Sequence, residues 1–215
     1  MSKNFRRGLD RRRRRLDETG SLEFAVIDDP AGFAALLDWT IASKVEWLDR
    51  RGLKTPFLRS DHYRAFWLAV HASASGGGRV RGMALRLDGQ IIAAKIVVQT
   101  PGRLEGFLTT FDPEFSRFSP GQILLRETFA WCAEAGLAYD FRIGDEAYKL
   151  DWTSAAARVT NYVLPLSRAG ALLHRTRMLR RQACAVKDRL RERIPTGLRR
   201  VLKSLLRDDA QPTEA

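Results

Sequence analysis

Between Met83 and Phe111 the hydrophobic period of this chain changes from 3.6 to 2, and that change constrains the fold more than any other feature. Met83, Leu85 and Leu87 alternate with small or charged residues and stop at Asp88-Gly89, a pair that tolerates the positive φ of a type I′ hairpin turn. The run 90–98 must then pair back antiparallel. Thr100-Pro101-Gly102 makes the next turn, and 103–111 a third strand. The chain is therefore expected to build an antiparallel meander at least three strands wide, and everything before and after has to pack on it.

Before the meander the pattern is helical. Residues 2–19 put Phe5, Leu9 and Leu16 on one stripe, with Arg11 to Arg15 around it and Gly20 as a stop. Leu22, Phe24 and Val26 alternate as a short strand. Asp29-Pro30 is a cap followed by a first-turn proline, and Phe33, Leu37, Ile41, Val45 and Leu48 follow at helical spacing. A loop over 52–59 leads to Ser60, which can cap a second helix with Tyr63, Phe66, Trp67 and Val70 on its inner face; Ser75-Gly76-Gly77-Gly78 ends it.

After the meander, residues 112–122 form a loop opening directly into a helix that carries Ile123, Leu124, Phe129 and Trp131 and stops at Gly136. Residues 138–143 read as a strand, 144–152 as a polar and aromatic segment, and 158–166 as a last strand. The expected fold is α+β: a mixed, mostly antiparallel central sheet in the order β-α-α-β-β-β-α-β-β, with helices on both faces. Residues 171–206 read as two amphipathic helices separated near Pro195-Thr196-Gly197. The expected organisation is a basic helix over 1–20, a central domain over 21–167, a basic helical tail over 168–207 and a disordered acidic end over 208–215.

The net charge of +12 is unevenly spread. Residues 1–15 carry about +7 and residues 168–207 about +11, the last eight residues carry −3, and the body 16–167 is left near −3. The basicity thus belongs to the two ends, which suit an anionic surface. Cys132 and Cys184 are too few for a disulfide framework and match no metal-ligand spacing. No apolar run resembles a leader or a membrane span, so the expected compartment is the cytoplasm, with peripheral attachment at the inner face of the membrane as an option.

The loop over 115–122 is suited to a diphosphate. The N–H groups of a first helical turn, reinforced by its dipole, face it; Gly121 allows close approach, and Pro120 gives up an N–H that would have no intrahelical partner.

The stretch Phe111-Asp112-Pro113-Glu114-Phe115-Ser116-Arg117-Phe118-Ser119-Pro120-Gly121, then Asp140-Phe141, then Gly144-Asp145-Glu146-Ala147-Tyr148-Lys149 and Trp152, resembles the GNAT acyltransferase superfamily. Within it the chain looks like the CelD-like subgroup, associated with cellulose and exopolysaccharide and related to Fem-type aminoacyl transferases. The general GNAT loop has Gln/Arg, two residues, Gly, one residue, Gly/Ala; here Ser116, Ser119 and Gly121 stand at those places, and the subgroup shows this serine-proline-glycine form.

The resemblance implies direct N-acyl transfer from acetyl-CoA or another acyl-CoA, as co-substrate, to a small amine acceptor, with an envelope or exopolysaccharide role. The thioester would lie between splayed strands over 103–111 and 138–143, its oxyanion held by a backbone N–H, while a base takes the amine's proton. The implied donor contacts are Phe111, Arg117, Ser119, Pro120, Gly121 and Gln122. Asp145 or Glu146 is the expected base or amine-orienting carboxylate, Tyr148 the acid toward the thiolate, and Lys149 a contact to phosphate or carbonyl.

Plainer readings stand beside these. Asp145-Glu146 can cap a short helix, Tyr148 and Trp152 can simply pack, Gly121 can serve a loop-to-helix turn, and Arg117 can be surface. The scattered His62, His71 and His174 form no triad, and Cys132 reads as a small buried hydrophobe. Members of the subgroup commonly carry a further GNAT-like half before the basic helix, so a second such domain or a homodimer is a candidate partner. For the basic ends an anionic membrane stands ahead of nucleic acid, with tRNA as the nucleic-acid option. Two further alternatives for the whole chain are an idle GNAT-like module docked on a membrane or polysaccharide-synthesis complex, and an aminoacyl-tRNA-dependent transferase.

Overall fold

The computed structural model describes residues 3–53, 55–73, 77–144, 146–153, 155–160 and 162–193. Ser75, Gly76, Asp145, Pro195-Thr196-Gly197 and the second expected tail helix lie outside the described residues. The chain divides into two compact units, Met1–Ala157 and Arg158–Ala215.

The first unit runs α1 (Lys3–Asp17), β1 (Leu22–Ile27), α2 (Pro30–Asp49), α3 (Asp61–Ala72), β2 (Arg79–Leu87), β3 (Gln90–Thr100), β4 (Arg103–Phe111), a 3₁₀ helix over Pro113–Phe118, α4 (Pro120–Glu134), β5 (Ala138–Asp140) and the single turn α5 (Ala147–Leu150). The five strands lie in chain order in one sheet. The pairs β1–β2, β2–β3 and β3–β4 are antiparallel, and β4–β5 is parallel.

Local chemistry accounts for most boundaries. The side chain of Asp29 accepts the Gly32 N–H and Pro30 opens α2; Ser60 caps α3 by accepting the His62 N–H. Asp88 and Gly89 sit at φ 49° and 81°, the left-handed conformation the hairpin turn needs.

Two cores cover the two sheet faces. On one, Leu9 and Leu16 of α1 and Ile123, Leu124 and Cys132 of α4 pack on Met83, Leu85, Ala93, Val97 and Leu104. On the other, Phe33, Leu36 and Leu37 of α2 and Trp67 of α3 pack on Val80, Ala84, Ala94, Ile96 and Leu108. The arginine-rich α1 is therefore docked by its leucines, and it is tied to α4 by Arg13–Glu127 at 3.1 Å and Arg126–Asp10 at 2.5 Å. Arg11, Arg12, Arg14 and Arg15 face outward.

Several expectations need correction. The strand expected over 138–143 ends at Asp140, because its carboxylate accepts the Arg142 N–H at 2.6 Å and Arg142 turns the chain away at φ 60°. Among the described residues 158–166 form no strand; a three-residue β5 is a short template, offering few ladder bonds to a further strand. The inner face of α2 is Phe33, Leu36, Leu37, Thr40 and Leu48, with Ile41 and Val45 only half-buried. In α3 only Trp67 is buried, and Phe66 is 55% exposed. The loop before α4 is largely 3₁₀ helix.

In the second unit, α6 spans Arg168–Arg193, and Ser167 opens it by accepting the Gly170 N–H. Among the described residues no helix is long and apolar enough to cross a membrane.

Candidate functional site

The parallel ladder between β4 and β5 covers only Arg103–Glu105 and Ala138–Asp140. Beyond it, β4 continues through Gly106–Phe111 without β5 beside it. At the same level β4 carries a bulge. Ile96 faces Leu108 and Val97 faces Gly106, so Phe107 is the extra residue and is left out of the ladder. The parting of the strands opens a cleft of about 930 Å³.

One end of the cleft is the start of α4. Ser119 adopts φ 55° and ψ 55° and its side chain makes no cap bond. The expected array of free amides is smaller than the sequence suggests: the N–H groups of Phe115, Ser119 and Gln122 bond to Asp112, Ser116 and Ser119 carbonyls. Pro120 has none, and among the described residues the Gly121 N–H meets no backbone acceptor. A Cβ on Gly121 would meet Phe111 Cδ1 at 3.4 Å. The result is one free donor at a 15-residue helix N-terminus, beside an aromatic edge.

Of the donor contacts read from the sequence, Phe111, Ser119, Gly121 and Gln122 line the cleft. Gln122 also accepts the Trp152 indole N–H at 2.7 Å. Pro120 is buried, and Arg117 is exposed with its guanidinium over Phe118 at 4.6 Å; neither lines the cleft. Glu146, Tyr148 and Lys149 line the wall opposite β4, and Asp145 lies outside the described residues. Lys149 Nζ stands 2.7 Å from the Glu146 carboxylate and donates to the Ile143 carbonyl at 3.4 Å. The hydrogen bond from Lys149 holds the Glu146 carboxyl below its ordinary value, and burial pushes the Tyr148 hydroxyl up. Trp152 stacks on Phe129 at 5.4 Å and pins this segment to α4.

The residue that sequence reasoning missed is Lys95. It sits mid-strand in β3, 3% exposed, and its ammonium nitrogen donates to the Tyr139 hydroxyl at 2.8 Å. Burial lowers its pKa from 10.5 to about 7. Tyr139 is pushed above its ordinary value, also by burial, and the nearby Cys132 thiol rises to about 11. Gly106 makes room for the phenol, since a Cβ there would lie 2.3 Å from the Tyr139 oxygen. The one signal in sequence was a lone charge inside the apolar run Ile91–Val98.

A meander with a bulged fourth strand, a parallel partner that leaves it after three pairs, and a helix opening into the gap define an α+β class with a cleft between parted strands. The model of the acetyltransferase (GNAT) domain matches residues 3–150, and the chain belongs to this family. Among solved structures, it is similar to a GCN5-related N-acetyltransferase from Ralstonia eutropha JMP134, with 18% identity, TM-score 0.48, and coverage of 66% of this chain and 99% of that one. It is also similar to a ribosomal-protein-alanine N-acetyltransferase from Brucella melitensis biovar Abortus 2308, with 16% identity, TM-score 0.44, and coverage of 69% and 99%. An aminoglycoside acetyltransferase from an uncultured soil metagenomic sample, in complex with sisomicin, gives 16% identity, TM-score 0.42, and coverage of 68% and 97%. No curated protein matches the chain.

Proposed function

We propose that this protein is an N-acyltransferase that uses acetyl-CoA or another acyl-CoA. The observation that carries the reading is the parting of β4 from β5 at the Phe107 bulge, with the unbonded Gly121 amide at the far end of the same cleft. The fit is chemical: the amide and helix dipole suit a diphosphate, and the unpaired stretch of β4 suits the amides of a pantetheine arm. The thioester supplies the activated acyl carbon.

Each remaining step falls to a side chain on the cleft wall. Glu146, kept charged by Lys149, holds the incoming ammonium. Only the free amine is a nucleophile, so a proton must leave it. Lys95, whose pKa of about 7 suits a base at neutral pH, takes that proton through the Tyr139 hydroxyl. As nitrogen bonds to the carbonyl carbon and the C–S bond breaks, the Tyr148 hydroxyl protonates the departing thiolate; its 43% exposure lets solvent restore the proton. The resemblance to the exopolysaccharide-associated subgroup favours an acceptor from envelope or polysaccharide precursors.

Isothermal titration of the full chain with acetyl-CoA and longer acyl-CoAs tests the reading. One site with a Kd in the micromolar range, weakened by Gly121→Val, is expected. Absence of binding to every acyl-CoA at millimolar concentration refutes it.

A further inference from the structure

The wall of the cleft contributed by α2 is basic in a way the proposed transfer does not use. Lys44 and Trp47 of α2, on one helical face, and Arg51 of the turn that follows line it. Lys44 Nζ lies 4.3 Å from the Trp47 ring centre and the Arg51 guanidinium 3.7 Å from it, so both cations rest against one indole. Other arginines at this helix are matched to its acids: Arg50 to Glu46, Arg59 to Asp49, and Arg64 to Asp38. Among the described residues Lys44 and Arg51 form no ion pair, and Lys44 donates only to the Thr109 carbonyl, at 3.3 Å. Burial and the like charge of Arg51 both lower the Lys44 pKa, with Glu146 as a smaller opposing influence. Two cations against one indole, Lys44 half-buried and Arg51 exposed, repel each other until an anion arrives.

The position of this wall says which anion. Ser43 bonds to Thr110 at 3.0 Å and Lys44 to Thr109, so α2 runs antiparallel to β4. Arg51 lies in the turn just past the C-terminus of α2 and lines the same cleft as Gly106 and Phe107, where the strands part. There Arg142 adds a third cation, 3.6 Å over the Phe107 ring, with Glu105 only at 3.9 Å. Gly121 lies at the other end, against Phe111. A diphosphate at Gly121 leaves the basic wall for whatever meets the acyl end.

We infer that this wall is an anion subsite formed by Lys44 and Arg51, and that the acceptor is an amine that also carries a carboxylate or phosphate. The inference rests on the acyl-transfer reading and adds the substrate class: an acceptor with its ammonium at Glu146 and its anion at α2. An arginine fork and a lysine point charge suit either anion.

The test is isothermal titration of the full chain, first with coenzyme A and then, at saturating coenzyme A, with 2-aminoethyl phosphate, 3-aminopropanoate and ethanolamine, which keeps the ammonium and lacks the anion. With the donor site filled, an anionic amine can answer only for the acceptor side, and the two anionic probes separate phosphate from carboxylate. At least one anionic amine should bind about tenfold or more tighter than ethanolamine. Arg51→Ala and Lys44→Met should each remove most of that preference, and Arg59→Ala, at a matched pair outside the cleft, should keep it. Equal affinities, no binding of either anionic probe, or a preference that survives in the Lys44→Met/Arg51→Ala double variant overturns the inference. If coenzyme A itself does not bind, the parent reading falls instead, and the same amine titrations in its absence still decide on the basic wall.

Discussion

Replacing Lys95 with methionine should make the protein more stable at neutral pH, although it removes a hydrogen bond. The folded state holds the amine at a pKa of about 7 against an ordinary 10.5, because burial disfavours the charged form. Since the folded pKa lies below the unfolded one, unfolding takes up a proton between these values. Stability from this group is complete above 10.5 and is lost as pH falls toward 7. At about 1.4 kcal/mol per pKa unit, the loss at pH 7 is about 4 kcal/mol. Methionine has no such loss, but it leaves the Tyr139 hydroxyl without its donor at 2.8 Å, which costs about 1 kcal/mol. The variant should therefore gain about 3 kcal/mol at pH 7, shrinking by about 1.4 kcal/mol per pH unit until it vanishes near pH 10. Urea unfolding followed by tryptophan fluorescence between pH 6.5 and 10 measures it. Trp39, Trp47, Trp67, Trp131 and Trp152 all lie in the first unit. A difference that is independent of pH, or a variant less stable at pH 7, refutes the reasoning.

Further expectations follow from the same geometry. In acyl-transfer assays the wild type should show an acid limb in kcat/KM near pH 7, and Lys95→Met should be slower and lack that limb. Gly106→Ala puts a Cβ 2.3 Å from the Tyr139 oxygen; it should cost about 1–3 kcal/mol in urea unfolding and displace the phenol from Lys95. Leu16→Ala, at a fully buried position of α1, should cost about 2–5 kcal/mol, whereas Arg12→Ala on the outward face should leave the urea midpoint in place. Glu146→Gln should raise the KM for amine with a smaller effect on kcat, as expected of a group that holds the ammonium and does not remove its proton.

The framework was legible because it is set by local chemistry. The Asp88-Gly89 turn and the caps Asp29 and Ser60 each act within a few residues, and each is where the sequence puts it, while the strand leading into that turn starts at Arg79, ahead of the alternation at Met83. The misses share a different cause. Asp140 ends β5 through a side-chain bond to a backbone N–H two residues on, a competition that a hydrophobic pattern does not register. In α2 the buried stripe is Phe33, Leu36, Leu37, Thr40 and Leu48, so that Ile41 and Val45 fall at its edge and Lys44 and Trp47 line the cleft. Lys95 escaped notice because its meaning depends on Tyr139 and Cys132, which come from two other elements. At α4, Gly121 was identifiable, but the 3₁₀ helix that consumes the neighbouring amides was not. Sequence pointed to the α4 end of the cleft and hardly at all to its basic wall.

The central claim is that a thioester donor lies between β4 and β5 with its diphosphate at Gly121. Backbone amide shifts of the isotopically labelled protein, recorded as acetyl-CoA is added, test it most directly. The largest changes should fall on Gly121 and on Gly106 to Phe111, saturating together at one equivalent. Saturable binding that leaves those amides unmoved and shifts residues elsewhere would contradict the account.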